Sequence, residues 1–160
     1  MLTPENLPII LAHEGIHADA MLDTATPINL KNANGVLMIV THVGAGATNV
    51  VLTVHEGLTA AECTAGTYPL TTGSEFPIWI NILTTTTDAW VKQTDALTYT
   101  IVASAIPAMV AFYVSASMLT NKRKWVSLGA DAGNAANFIN ALYIIDGGRY
   151  ESKTVPTFIA

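Results

Sequence analysis

Short β-branched runs recur at close intervals along this chain. Turn residues such as Gly, Pro and Asn lie between many of them, and no long amphipathic helical stretch separates them. Such spacing predicts strands that pair antiparallel in a sandwich or barrel, because a βαβ sheet needs a helix-length crossover between strands. Ile28–Leu30 follows Pro27 and precedes Asn32, Asn34 and Gly35. Val36–Val43 and Asn49–His55, with Gly44 and Gly46 between them, read as the clearest hairpin. Ile78–Leu83, Trp90–Val91, Thr98–Ala103, Met109–Leu119, Trp125–Leu128 and Ala141–Ile145 continue the pattern, giving about eight strands. Eight strands in two packed sheets is the jelly-roll count. The expected organisation is an all-β, antiparallel, jelly-roll-like β-sandwich over residues 23–150. Residues 1–22 read as an N-terminal arm outside the core and residues 151–160 as a C-terminal tail, whose Pro156, Phe158 and Ile159 suggest docking on something.

One stretch competes with this reading. From Ala96 to Asn121 there is no charged residue, and Lys122, Arg123 and Lys124 follow at once, as after a stop-transfer helix. Pro107 sits near the middle of the run, however, and Ser104, Ser115 and Ser117 dilute it. Val110, Phe112, Val114 and Ala116 alternate with Ala111, Tyr113, Ser115 and Ser117, which is the period of a strand with one apolar face. Two strands joined at Ala105, Ile106 and Pro107 account for the run without a bilayer, so no membrane partner is expected.

Composition narrows the partners. The 160 residues are 51% hydrophobic and only 12% charged, against roughly 25% charged in an average soluble domain. That balance excludes a disordered chain. Threonine, with 21 copies, replaces much of the missing charge. A weakly charged surface repels its neighbours poorly and suits a protein covered by partners. Net charge is -5. Only Lys122, Arg123 and Lys124 gather positive charge, with Trp125 as their one aromatic neighbour; this reads as a solvated loop, and no nucleic acid is expected. The single Cys63 cannot form an internal disulfide and has no adjacent base, so it reads as an inert thiol. Glu5, Glu14 and Asp19 without a basic n-region do not read as a signal peptide.

The one chemical motif is His13-Glu14-Gly15-Ile16-His17. H-E-x-x-H on a helix places two imidazoles one turn apart to bind zinc, with the glutamate activating water. Leu7, Leu11, Ala18 and Leu22 keep a rough helical face that Asn6 could cap, but Gly15 costs about 1 kcal/mol inside a helix. A third ligand is also missing, since no histidine follows at the metzincin spacing and the next glutamate is Glu56. His42 and His55 would sit on neighbouring strands, where a lone histidine is usually a half-buried surface residue. Gly44-Ala45-Gly46 lies between strands and reads as turn chemistry, not a phosphate cradle. Asp131–Asn134 resembles a calcium loop in composition alone. Trp79, Trp90 and Trp125 could stack on sugars but more often fill a core or an interface. No catalytic, cofactor-binding or metal residue is therefore assigned, and neither an enzyme nor a cofactor is expected.

The whole pattern resembles the capsid decoration, or cement, proteins of tailed bacteriophages. Its carriers are Ile28-Asn29-Leu30-Lys31-Asn32 leading into an apolar strand, Gly44-Ala45-Gly46, and the strand end Leu52-Thr53-Val54-His55-Glu56-Gly57. The closing run is Ala141-Leu142-Tyr143-Ile144-Ile145-Asp146-Gly147-Gly148-Arg149-Tyr150. The resemblance spans roughly residues 23–150; the His13–His17 motif lies outside it, and Gly148 stands where the pattern has proline. It implies a β-sandwich on the outer surface of the virion capsid that forms a homodimer or homotrimer and ties neighbouring major capsid protein subunits together. Under that reading, deleting residues 1–22 weakens capsid attachment and leaves the fold intact. Two alternatives remain at this level: a glycan-binding tail or receptor-binding module, and a small zinc metallopeptidase using His13, Glu14 and His17.

Overall fold

A computed structural model describes residues 9–17, 26–44, 48–70, 75–82, 89–102, 108–131 and 136–148. Ten strands are present among them: β1 (Ile9–His17), β2 (Ile28–Asn29), β3 (Ala33–Gly44), β4 (Val50–Gly57), β5 (Ile78–Ile82), β6 (Val91–Lys92), β7 (Thr98–Ile101), β8 (Ala108–Ser115), β9 (Trp125–Asp131) and β10 (Asn137–Gly148). The one α-helix among them is α1 (Ala60–Thr64), whose first turn is capped by the Thr59 hydroxyl accepting from Glu62 N–H at 3.2 Å. All strand pairs are antiparallel. They form a six-stranded sheet in the order β1-β10-β3-β8-β5-β6 and a four-stranded sheet in the order β2-β9-β4-β7. The all-β, two-sheet architecture is the expected one.

Alternation of side chains builds the core between the sheets. Tyr143, Met38, Phe112 and Ile78 stand in one row across the larger sheet and are fully buried. Leu52, Val54 and Leu128 face them from the smaller sheet. Each such side chain contributes about 1.5–3 kcal/mol by leaving water. Phe76 and Phe112 meet edge to face, with centroids 5.4 Å apart and planes at 89°. One polar link crosses the layers: the Tyr143 hydroxyl accepts a hydrogen bond from the Leu128 N–H at 2.8 Å. Gly35 marks the tightest approach of β3 to β8, where a Cβ would lie 2.6 Å from the Val114 carbonyl oxygen.

The expected hairpin is not formed. β3 pairs along its length with β10, from Ala33 opposite Gly148 to Gly44 opposite Asn137, and on its other side with β8. β4 pairs instead with β7 and β9 in the other sheet. The physical reason is burial: β3 is apolar at nearly every position, and it gains two long apolar neighbours in the middle of a sheet where a two-strand ribbon would offer one. The connection after Gly44 carries the chain from one layer to the other.

The N-terminal arm also differs from expectation. Residues 9–17 are a strand on the edge of the larger sheet, with Ile10 and Ala12 buried in the core. The tail at residues 151–160 lies outside the described residues. The uncharged run is divided as expected: Thr98–Ile101 belongs to the smaller sheet and Ala108–Ser115 to the larger, followed by a 3-10 turn at Ala116–Met118. Among the described residues no helix is long and apolar enough to cross a membrane.

Candidate functional site

Desolvation sharpens the chemistry of buried polar side chains, and this chain buries several. Glu56 is the most demanding. It stands at the end of β4 on the core-facing side, with its side chain 2% exposed. The Thr120 N–H donates to one carboxylate oxygen at 2.8 Å, and the Thr120 hydroxyl donates to the other. Arg123 Nη1 lies 3.5 Å from Glu56 Oε1, and its guanidinium stacks 4.0 Å above the Tyr68 ring. Asn121 and Lys122 take left-handed backbone conformations, φ 48° and 64°, which turn the chain so that Arg123 returns to the cleft.

Lys122 and Lys124 are solvent-exposed, as a solvated loop requires, while Arg123 is turned inward. Glu56 and Arg123 line a cleft of about 350 Å³ together with Tyr68, Pro69, Thr120 and Asn121. Both Glu56 oxygens are engaged, by Thr120 and Arg123. The arrangement braces the 120–124 turn against β4. Sequence reading passed over Glu56 because a carboxylate at a strand end reads as solvated. The signal was Arg123 within a basic run, and only the fold brings the two together.

The histidines do not meet. His42 is in β3 of the larger sheet and His55 in β4 of the smaller, and both are buried instead of half-exposed. His42 Nε2 lies 3.3 Å from Asn137 Oδ1, while the Asn137 amide donates to the Thr48 carbonyl at 3.1 Å. His55 sits under α1, and burial holds its imidazole below the usual histidine range. The Cys63 thiol lies 3.3 Å from the His55 carbonyl oxygen and 3.2 Å from the Ser127 hydroxyl. Burial first, opposed by that hydroxyl, pushes the thiol up to about 12, so it stays protonated at neutral pH.

The H-E-x-x-H segment has the wrong backbone for a zincin. Residues 13–17 are extended, with His13 opposite Ala141 and His17 opposite Phe138, and irregular register between them. A helix would place the two histidine Cβ atoms about 5–6 Å apart, whereas four residues of strand extend roughly 13 Å. Among the described residues no group of three His, Cys, Asp or Glu is placed to hold a metal. Asp131 ends β9, and residues 132–135 of the calcium-like stretch lie outside the described residues. Trp79 and Trp125 belong to opposite sheets, while Trp90 is exposed beside β6, so the three rings do not share one platform.

What does stand out is the difference between the two outer faces. On the smaller sheet, the outward positions include Thr53, Thr98, Thr100 and Asp131, an ordinary solvated surface. On the larger sheet, two adjacent outward rows are nearly all apolar. One runs Ile9, Ile144, Leu37 and Tyr113; the next runs Leu11, Leu142, Ile39, Ala111 and Trp79, ending at Lys92. The next outward row is mixed, with the Asn140 amide donating to the Thr41 hydroxyl at 3.3 Å beside Met109, and the apolar pair Val43 and Phe138 lies beyond it. Leu11 is 55% exposed, Val43 54% and Ile9 48%. Lys92 at the rim is the one charged group in these rows, and Asp146 just beyond accepts from the Tyr113 hydroxyl at 2.6 Å. Both signs of this face were present in the sequence: β3 and β10 are apolar on both parities, the mark of a strand covered on both sides. Compared with protein families, characterised proteins and solved structures, the chain matches none.

Proposed function

We propose that this chain is a structural virion protein of a tailed bacteriophage, a capsid decoration protein that sits on the outer surface of the shell and strengthens contacts between major capsid protein subunits. The observation that carries the reading is the two-faced sandwich: a threonine-bearing face on one sheet and, on the other, two adjacent outward rows through Leu37 and Ile39 that are apolar up to Lys92 at the rim. A protein that works alone in water keeps such patches to a few hundred Å². The buried Glu56–Arg123 pair braces a turn against a strand, and this suits a scaffold that works by binding. Modest contacts suffice for such a protein, because many copies on a symmetric shell act together. The sequence resemblance supplies the identity of the partner.

The test is co-sedimentation of the purified chain with shells assembled from the major capsid protein of the same virus. Saturable occupancy at a fixed ratio to capsid subunits, with shells that resist heating better when occupied, is the expected result. Protein that stays in the supernatant at every concentration would refute it.

A further inference from the structure

We infer that the outer face of the six-stranded sheet is a homodimer interface, covered by the same face of a second copy of this chain about a two-fold axis. The inference rests on the reading above and gives its homo-oligomer a surface. Three observations commit the face to a second copy. First, a two-fold contact sets a patch against itself, so any charge near the axis meets its own kind. The rows through Leu37 and Ile39 carry a single charge, Lys92, and it lies at the far rim.

Second, the size is right. Five strands at ~4.8 Å spacing and seven residues along β10, from Phe138 to Ile144, make a footprint of roughly 24 by 24 Å. Two such footprints, which include the mixed Asn140–Thr41 row, come to roughly 1,150 Å², at the lower edge of specific interfaces. Third, the face exists as soon as the sheet forms. A capsid partner meets the chain only at assembly, so until then the patch would be an aggregation hazard. A second copy is the one partner made at the same place and concentration. Ile39 lies in the middle strand of the patch, flanked by Leu142 and Ala111, and Leu11 lies near its β1 edge.

Light scattering on the full chain, taken down a dilution series, tests this. The expected mass is about 34 kDa, twice the 16.9 kDa of one chain. Ile39→Glu and Leu11→Glu each should raise the dissociation constant by about 100-fold or more and shift the mass toward one chain. Thr53→Glu, on the opposite face, should leave the dimer intact. Far-UV circular dichroism and the urea midpoint of the two disrupting variants should stay near those of the parent, which separates lost association from lost folding. A single-chain mass at all concentrations overturns the inference, as does a trimer, or a dimer indifferent to both substitutions. Another overturning result is a monomer that associates only after residues 149–160 are removed, which would make the chain's own tail the cover. The capsid reading fails separately: a dimer sensitive to Ile39→Glu that never binds shells sinks decoration and keeps the interface. Shell binding by a monomer, abolished by Ile39→Glu, does the reverse.

Discussion

Glu56 brings a carboxylate into a site with one nearby cation, and the cost of taking that cation away measures how buried the site is. Arg123→Ala should destabilise the fold by about 3–5 kcal/mol, because it leaves an unpaired charge beside Thr120. The double variant Glu56→Gln with Arg123→Ala should lose clearly less, and urea unfolding of both reads the difference. Tyr143→Phe is a smaller change with a defined victim. It removes the acceptor of the Leu128 N–H inside the core and should cost about 1–3 kcal/mol by the same measurement. His55 gives a pH dependence whose sign follows from its lowered value. The folded protein holds it neutral, whereas the unfolded chain protonates near 6.5, so its contribution is complete above that pH and is lost as pH falls below it. The urea midpoint of the parent should drop more between pH 7.5 and pH 5 than that of His55→Gln. Of these residues only Cys63 had its state legible in the sequence. The partners of Glu56, His55 and Tyr143 come from other strands or turns, which no local spacing reveals.

At the scale of elements, β1 changes what a truncation should do. Removing residues 1–8 keeps the strand, but removing residues 1–22 takes Ile10 and Ala12 out of the core and bares the edge of β10. The larger deletion should lower stability by at least about 2 kcal/mol, seen as an earlier urea midpoint, while the smaller leaves the midpoint within error. An attachment defect can therefore be assigned to the arm only with the shorter truncation. β1 was hidden because Leu7, Leu11, Ala18 and Leu22 fit a helical face and the zinc motif favours the helix, whereas the strand carries apolar residues on both faces. Pairing with β10 decides it, since that edge offers hydrogen bonds along the whole strand. The missing β3–β4 hairpin has the same cause. Glycines in a connection permit a tight turn, but they equally permit a crossing between layers, and the apolar neighbours of β3 settle which occurs.

At the scale of the whole molecule, the sequence by itself determined the class. Period-2 runs, turn residues between them and the lack of a long amphipathic helix leave little but an antiparallel two-sheet protein, because these patterns act over a few residues and are satisfied locally. The division of the uncharged run into Thr98–Ile101 and Ala108–Ser115 followed from the same period. Low charge and abundant threonine pointed to a covered surface without saying where it lies. Only the tertiary structure decided which strands are neighbours, that Arg123 answers Glu56, and that the two apolar outward rows fall on one sheet. Those outcomes depend on residues far apart in the chain, as β3 is from β10, and a strand's parity shows that it has two faces without showing what lies opposite either one.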